Sequence, residues 1–407
     1  MFRQSGNSNV HENRTIQTHK AWSQHFLANY LSFMRPYAFI ARLMGFLPYK
    51  IVSSQFIVSK TIYIFSAIPN IAYLNCVLVA ICKIDLTYFY AKQLFRIVHD
   101  DFIVVLSPVI FISAYVANRS MVRVMENISK VSQMLPPEFF SKSAKIIFIK
   151  DAILMGLEVS DLLSAITSGY PFSLTNWYTF FALVIMNSLF VNNLYVLNGC
   201  FKHINDSLVK VKNTLMNDEP HLLRRVYHMQ KNPVLLTKLR TLKKQHLEVS
   251  ETLQTLNDSF SMQCIGIITL LFIDITFNVY TCMLVYNKGG RIKNWASLPS
   301  FFIISNSVQL ILMAWCAEIT RIQMENMGTN IHRIIVHTFD DQVTSELKMF
   351  SLQVLQRDNT LMAKGLVIDA TLLTKHHYIF TNIDTIFVGQ ALLRDSFIQR
   401  NMSFGVN

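Results

Sequence analysis

Residues 162–201 read LLSAITSGYPFSLTNWYTFFALVIMNSLFVNNLYVLNGCF, a run of 40 residues without Lys, Arg, Asp or Glu. An α-helix crosses a hydrocarbon core about 30 Å thick with about 20 apolar residues, so the run is too long for a single crossing. The SGYP sequence at 168–171 combines Gly with Pro and predicts a turn in its middle. The run therefore predicts the end of one membrane helix, at about 146–166, and a second membrane helix at about 174–197.

Four further segments have the same character and lie at about 61–82, 102–118, 261–285 and 298–317. With the two above, they give six long apolar segments, and Pro69 predicts a kink in the first of them. Apolar residues make up 52% of the chain while Gly and Pro number only 12 and 10, which favours long helices. The composition therefore predicts an all-α membrane protein whose solvent is lipid.

Lys and Arg alternate between the gaps that separate these segments. The N-terminal tail and the second, fourth and sixth gaps hold 7, 5, 10 and 5 of them, whereas the first, third and fifth gaps hold 3, 0 and 3. Cytoplasmic loops of membrane proteins retain basic residues, so this bias predicts a polytopic helical membrane protein with a cytoplasmic N-terminus. The net charge of +12 resides mainly in these loops, and because no basic-aromatic binding module occurs, no nucleic-acid partner is expected.

The gaps at 203–260 and 318–363 are long, and leucines recur in the former at helical intervals, which predicts cytoplasmic extensions of the membrane helices.

A seventh crossing at 365–390 is divergent, since it contains Asp369, Lys375, His376, His377 and Asp384, which are costly at membrane depth. The expected organisation is a cytoplasmic N-terminal region (1–60), transmembrane helices one to four (61–200), a cytoplasmic helical extension (201–260), helices five and six (261–317), cytoplasmic anchor helices (318–364), the seventh crossing (365–390) and a C-terminal tail (391–407).

No catalytic motif is present: there is no GxSxG, P-loop, HExxH or GxGxxG, so neither an enzyme nor a cofactor is expected. The six cysteines form no CxxC pair or Cys/His cluster, so no metal site is expected. Ionisable groups do occur within the apolar segments. The third carries Lys150, Asp151, Glu158 and Asp161, and the fifth carries Asp274. Such groups either serve function or simply pair with one another, and both interpretations stay open.

The topology places the outer halves of segments three to six together, and these halves are rich in aromatic rings and amides. Trp and Tyr are often only interfacial anchors, an alternative that applies to Trp177 and Tyr178. Amides avoid lipid and should face protein or a cavity. A pocket lined by rings and a few amides suits a small organic ligand. The residues predicted to bind it are Asp161, Trp177, Tyr178, Phe181, Asn278, Tyr280, Asn306 and Gln309.

Several short motifs follow one another in the last third of the chain: CAE at 316–318, NIHRII at 330–335, ELKMFSLQVL at 346–355 and GLVIDATLL at 365–373. Their order resembles the insect gustatory receptor family, in which a similar F-S-x-Q helix precedes a G-x-F-x-I-D-x-T-L-L stretch. Arg35-Pro36 and the later GFLP at 45–48 look like the entry motif of that family. The resemblance covers most of residues 35–373.

This resemblance implies a gustatory receptor subunit, a ligand-gated cation channel opened by a small-molecule tastant. Such receptors have seven helices with the N-terminus inside the cell and assemble as homo- or heterotetramers in the plasma membrane of a sensory neuron dendrite. The last helix lines the pore, which makes Phe387 and Gln390 the pore candidates. Members of that family usually end with Thr-Tyr, five apolar residues and then Gln-Phe. In this chain Thr381 and Gln390 are too far apart to match that spacing, and no Phe follows Gln390. The version of this closing motif that sugar receptors carry is also missing, which favours a bitter or unassigned tastant.

Two other classes of function fit seven crossings. A G-protein-coupled receptor would have the opposite orientation, and the basic-residue bias and the lack of an Asp-Arg-Tyr-like triplet after the third crossing argue against it. A secondary transporter is suggested by the carboxylates of the third segment, but the sequence shows no internal repeat of the kind that many transporters have.

Overall fold

The computed structural model describes residues 30–52, 55–82, 94–168, 171–217, 233–287, 299–336, 338, 340–357, 360–372 and 374. These residues are mostly helical, which confirms the all-α class. The helices are α1 (Tyr30–Leu43), α2 (Lys60–Phe65), α3 (Ala67–Cys82), α4 (Leu94–Val131), α5 (Pro137–Ser168), α6 (Pro171–Asn217), α7 (Pro233–Asn287), α8 (Pro299–Val336) and α9 (Asp341–Gln356). Two small antiparallel hairpins pair β1 (Tyr49–Val52) with β2 (Gln55–Val58) and β3 (Met362–Ala363) with β4 (Leu366–Val367).

Among the described residues, five helical stretches are long and apolar enough to cross a membrane: Lys60–Val79, Val98–Met134, Leu174–Leu215, Pro233–Cys282 and Phe302–Val336. They contain the predicted segments one, two, four, five and six, apart from a few terminal residues. The predicted third segment lies in α5, which is absent from this set because Lys150, Asp151, Glu158 and Asp161 interrupt it. The face of α5 that points outward still carries a series of exposed aliphatic side chains: Ile146, Ile149, Ile153, Val159, Leu163 and Ile166.

The first apolar segment is two helices, α2 and α3, which meet at Ser66. Pro69 explains the break, because a proline lacks the N–H that would bond to the carbonyl four residues earlier, on Phe65, and its ring clashes there. At this break, the Ser66 carbonyl accepts a hydrogen bond from Asn70 Nδ2 at 2.9 Å. Gly45 packs against this break with φ of +84°, and a Cβ there would lie 2.3 Å from the Ser66 carbonyl oxygen.

Two helices are much longer than a bilayer crossing requires. α6 has 47 residues and α7 has 55, so at 1.5 Å per residue they are about 70 and about 80 Å long. Because a crossing takes about 20 residues, their remaining turns lie in water. Leu239, Leu242, Leu253 and Leu256 of α7 are buried there, and α9 packs against the same part of α7.

The β3–β4 hairpin follows α9 and occupies the first residues of the predicted seventh crossing at 365–390, so the predicted start of that helix at 365 is wrong. The turn of the hairpin holds Lys364 and Gly365 at φ of 49° and 93°. Two of its backbone N–H groups are bound by α7, since Met362 donates to Asn257 Oδ1 and Lys364 donates to Ser261 Oγ, each at 3.0 Å. Asp369 follows, and its carboxylate accepts the Thr371 N–H at 2.9 Å. Asp369 therefore acts as a helix cap.

Candidate functional site

Asp274 of α7 lies at the centre of a buried polar cluster. Its side chain is only 2% exposed, and its two oxygens accept three hydrogen bonds from two other helices and its own. His99 of α4 donates through Nε2 to Oδ1 at 2.8 Å. Asn278 Nδ2 and Asn306 Nδ2 donate to Oδ2 at 2.8 and 2.6 Å. Since hydrogen bonds to a charged group contribute about 1.5–3 kcal/mol each, Asp274 ties α4, α7 and α8 together.

A polar track leads from this cluster to a partly exposed carboxylate. The other ring nitrogen of His99, Nδ1, is 3.7 Å from Asp100 Oδ1, and the Asp100 side chain is 26% exposed. Asn176 of α6 reaches the same Asp100 oxygen at 3.5 Å. The Phe277 ring lies 5.0 Å from the His99 ring and covers it on one side. His99 thus joins a partly accessible carboxylate, Asp100, to a buried one, Asp274.

Gln309 lies on α8, about one turn from Asn306, and is fully buried. Within the described part of the chain, neither of its amide atoms has a hydrogen-bond partner. The same is true of Asn187 Oδ1 on α6 and of Ser305 Oγ on α8, although Asn187 Nδ2 donates to the Gln309 carbonyl at 3.3 Å. An unpaired buried polar atom costs about 1–3 kcal/mol, so these four atoms form a group able to bind water or a small molecule.

The aromatic residues of α6 face two different neighbours. The Trp177 ring stacks on Phe181 at 5.3 Å, and its Nε1 donates to the Glu158 carbonyl of α5 at 2.8 Å. Tyr178 instead lies 5.4 Å from Tyr73 of α3 and 5.9 Å from Phe111 of α4. Both rings are half-buried and held by other helices, so they have contacts beyond those of an interfacial anchor.

The predicted ligand-binding residues therefore fall into separate groups. Asn278 and Asn306 meet on Asp274, Trp177 and Phe181 pack toward α5, Tyr178 packs toward α3 and α4, and Gln309 lies deeper between α6 and α8. Tyr280 is half-buried on α7, one half-turn past Asn278. The Asp161 side chain and the pore candidates Phe387 and Gln390 lie outside the part of the chain that the structure describes.

A second buried cluster joins α5 to α6. Lys150 Nζ is 2.8 Å from Asp151 Oδ1 and donates to Asn192 Oδ1 at 3.1 Å. Ser188 Oγ and Asn192 Nδ2 donate to the Asp151 carboxylate at 3.0 and 3.2 Å. For Lys150 and Asp151, the structure therefore shows the simpler of the two interpretations, because these charges pair with each other and with α6.

Comparison with known families identifies the chain. The model of the family described as 7tm chemosensory receptor matches residues 34–375. The chain belongs to the 7tm chemosensory receptor family. No curated protein matches it. The membership confirms the resemblance to insect chemoreceptors that the motifs between 316 and 373 indicated.

Solved structures share the fold of this chemosensory receptor. The insect olfactory receptor OR5 from Machilis hrabei aligns with a TM-score of 0.63 at 10% identity, over 87% of this chain and 97% of that one. The structure of the same OR5 in complex with eugenol aligns with a TM-score of 0.62 at 11% identity, over 88% of this chain and 97% of that one. These likenesses confirm the polytopic helical fold.

Sequence reasoning missed some polar residues of the receptor. His99 lies just outside the predicted segment at 102–118, so it was not considered as an intramembrane group. Asn187, Ser188 and Asn192 lie within the charge-free run at 162–201. Amides avoid lipid, and this preference of Asn187 and Asn192, like that of Asn306, is the signal that could have identified them.

The receptor also has an open groove of about 580 Å³ at the beginning of α7, lined by Pro233, Val234, Thr237, Lys238, Thr241, Leu242 and Gln245. This groove lies at the opposite end of α7 from Asp274. Because its lining lacks the convergent buried polar groups that orient a small ligand, we place the candidate site at Asp274, Asn306 and Gln309 instead.

Proposed function

We propose that the chain is a gustatory receptor subunit, a ligand-gated cation channel that a small-molecule tastant opens in the plasma membrane of a sensory neuron. The observation that carries the proposal is the family match over residues 34–375. The OR5 structure in complex with eugenol supports a small organic ligand for this chain as well. By resemblance, the subunit assembles as a homo- or heterotetramer, with Phe387 and Gln390 lining the pore.

The ligand would bind in the outer half of the bundle, between α4, α6, α7 and α8. The polar track from Asp100 through His99 to Asp274 gives a route into the protein from the outer surface. Beyond Asn306, Gln309, Asn187 and Ser305 carry polar atoms that have no partner among the described residues, and these atoms offer both donors and acceptors to a ligand. Since Asp274 is already satisfied by three donors, the Gln309 amide is the group with bonding capacity to spare.

Ligand binding opens the channel only through a difference in affinity between its states. A compound that satisfies the Gln309 group removes a cost of about 1–3 kcal/mol for each polar atom that it pairs. If that pairing is possible in one arrangement of α6 and α8 only, the compound favours that arrangement. A shift of about 1.4 kcal/mol changes the ratio of open to closed channels about tenfold.

The test is electrical recording from cells that express the chain, alone and together with other receptor subunits, during exposure to a broad tastant panel. Surface expression is verified with an epitope tag. The expected result is an inward cation current evoked by at least one compound, with a reversal potential that follows the Na⁺ and K⁺ gradients. No current from any compound or combination, with surface expression intact, would contradict the proposal.

Two further measurements distinguish the proposed channel from a G-protein-coupled receptor, and taste from smell. A tag on the N-terminus should be inaccessible to antibody in unpermeabilised cells, whereas surface labelling would favour a G-protein-coupled receptor. Testing volatile compounds, with eugenol among them, beside involatile tastants decides between taste and smell. Responses confined to volatile compounds would assign the chain to olfaction.

Within this assay, Gln309→Leu tests the ligand site. The substitution keeps the volume of the side chain and removes its amide, so the concentration of tastant that gives half the maximal current should rise at least tenfold. Gln342→Leu on the exposed side of α9 is the matched control and should keep the wild-type value. An unchanged dose response in Gln309→Leu would show that the ligand binds elsewhere.

A further inference from the structure

His246 lies at a joint between three helices, in the part of α7 that precedes the predicted fifth crossing at 261–285. Its side chain is only 1% exposed. The Phe201 ring of α6 and the Phe350 ring of α9 meet the imidazole edge-on, at 6.1 and 5.6 Å. Gln353 of α9 places its Nε2 at 3.0 Å from His246 Nδ1. Phe350 and Gln353 are the first and last positions of the F-S-x-Q motif, so both ends of that motif contact this one histidine.

The hydrogen bonds of Gln353 determine which protonation form of the His246 imidazole fits between α7 and α9. Gln353 Nε2 also donates to the Lys243 carbonyl at 3.0 Å. Turning the amide over would place its oxygen against that carbonyl, so the nitrogen must point toward α7. Gln353 therefore donates to His246, and His246 Nδ1 must accept. A ring with an unprotonated Nδ1 is neutral, because both ring nitrogens of a charged imidazole are donors.

The surrounding charges give a proton on His246 no support. Burial, followed by the positive charge of Arg357 at the end of α9, lowers the pKa of His246 to about 4. The Glu346 carboxylate of α9 is engaged by Lys243 and Arg240. Glu251 of α7 is engaged by Arg357 at 3.0 Å. On α6, the charged neighbours of Phe201 are Lys202 and Asp206, and both are exposed.

We propose that His246 is a cytosolic proton-binding site, and that a proton bound there releases α9 from α7. The docked arrangement accepts only the neutral ring, whereas a ring released into water accepts a proton freely. Acid in the cytosol therefore favours the released arrangement. Release matters for the channel because α9 continues through the β3–β4 hairpin, which α7 also holds, into the predicted seventh crossing. We expect cytosolic acidification to reduce the current that a tastant evokes.

The size of the effect follows from proton linkage. A released histidine has the ordinary pKa of 6.5, and the docked one has a pKa of about 4. Because the released state binds more protons between these two values, docking weakens as the pH falls through 6.5. Between pH 7.5 and 6.0, the docking equilibrium should fall about fourfold.

Hydrogen exchange on the full-length purified receptor in nanodiscs measures this equilibrium directly, without a tastant. After correction for intrinsic exchange rates, the protection factors of amides in α9 report how often this helix is released. They should be about fourfold lower at pH 6.0 than at pH 7.5, while those in α4 should not change. Equal protection of α9 at both pH values would overturn the proposal.

Variants identify the group responsible. His246→Gln can still accept a hydrogen bond but cannot bind a proton, so protection of α9 should no longer depend on pH. His332→Gln, which removes an exposed histidine of α8, is the matched control and should keep the fourfold change. A fourfold change that persisted in His246→Gln would also overturn the proposal.

A second variant keeps the test decisive even if His246→Gln does not fold. Gln353→Glu places an acceptor beside His246 Nδ1, which favours the protonated ring. Protection of α9 should then rise on acidification instead of falling. If acidification still lowered the protection of α9 in Gln353→Glu, Gln353 would not control the protonation of the His246 ring. Since none of these measurements needs a current, failure of the proposed channel function would leave their outcome unaffected.

Discussion

Gly266 of α7 lies so close to Ile110 of α4 that a Cβ built on the glycine would be 2.5 Å from Ile110 Cγ1. The two helices run antiparallel along this contact. His99 binds Asp274 on one side of it, and Ser120 bonds to Ser259 at 2.5 Å on the other. The glycine therefore sets the distance at which both polar pairs can form.

Gly266→Ala should destabilise the receptor because the added methyl group overpacks this contact. We expect a loss of about 1–3 kcal/mol in the free energy of unfolding, measured by thermal unfolding in detergent. The double variant with Ile110→Ala should lose less than the sum of the two single variants. Gly156→Ala is the matched control, since nothing lies within 4 Å of its new Cβ, and it should be neutral or stabilising by about 0.5–1 kcal/mol. Additive effects in the double variant would disprove the direct contact.

Asp274→Ala should be among the most damaging single substitutions in the bundle. It leaves three donors, on His99, Asn278 and Asn306, without their acceptor. Removing one partner of a buried charged group costs about 3–5 kcal/mol, which thermal unfolding and the yield of folded receptor would show. Asp258→Ala on the same helix removes an exposed carboxylate and should change stability by less than about 0.5 kcal/mol. Equal stability of the two variants would refute the role of Asp274.

Asn306 and Gln309 should respond differently to the same substitution. Asn306→Leu removes a 2.6 Å hydrogen bond to Asp274 and should lower the unfolding free energy by about 1–3 kcal/mol. Gln309→Leu removes an amide that has no partner among the described residues, so it should be neutral or stabilising. Thermal unfolding of the two variants side by side makes the comparison. A Gln309→Leu variant as unstable as Asn306→Leu would indicate that bound water already satisfies the amide.

Glu346 should make the contact between α7 and α9 sensitive to strong acid. The hydrogen bond from Lys243, with help from Arg240, lowers the pKa of Glu346 below its ordinary value of 4.5. Its stabilising effect is therefore complete above pH 4.5 and is lost as the pH falls through the lowered pKa. Hydrogen exchange of α9 should show a loss of protection below pH 4.5 that Glu346→Gln abolishes. His246 acts mainly between pH 6.5 and 4, so Glu346→Gln should keep the loss of protection at higher pH and lose the further loss below pH 4.5. A loss below pH 4.5 as large in Glu346→Gln as in the wild type would count against the assignment.

Much of the fold could be read from the sequence because lipid imposes a simple rule. Segments such as 174–197 and 261–285 are apolar over the length of a crossing, and the structure places each within one long helix. Within the first segment, Pro69 predicted a kink. The structure shows an interruption at Ser66, because the missing N–H of Pro69 and the clash at Phe65 separate α2 from α3.

The candidate site could be predicted only in part. Asn306 and Gln309 were correctly predicted to be buried, because an amide within a membrane segment avoids lipid. Periodicity cannot show which helix lies opposite, so it did not reveal that His99 reaches Asp274 or that Lys150 and Asp151 pair against α6. For the same reason, Trp177 and Tyr178 were assigned to one pocket although their rings contact different helices.

By itself, the sequence determined that this chain crosses a membrane and to which family it belongs, because hydropathy and short motifs are properties of the linear chain. Only the tertiary structure decided which polar groups satisfy one another. Asp274 obtains donors from α4 and α8 as well as from its own helix. Gln353 bonds to a histidine 107 residues away, and the side-chain amide of Gln309 finds no partner in the part of the chain that the structure describes. Hydrogen bonds depend on angles and on distances near 3 Å, which are set only when the helices pack.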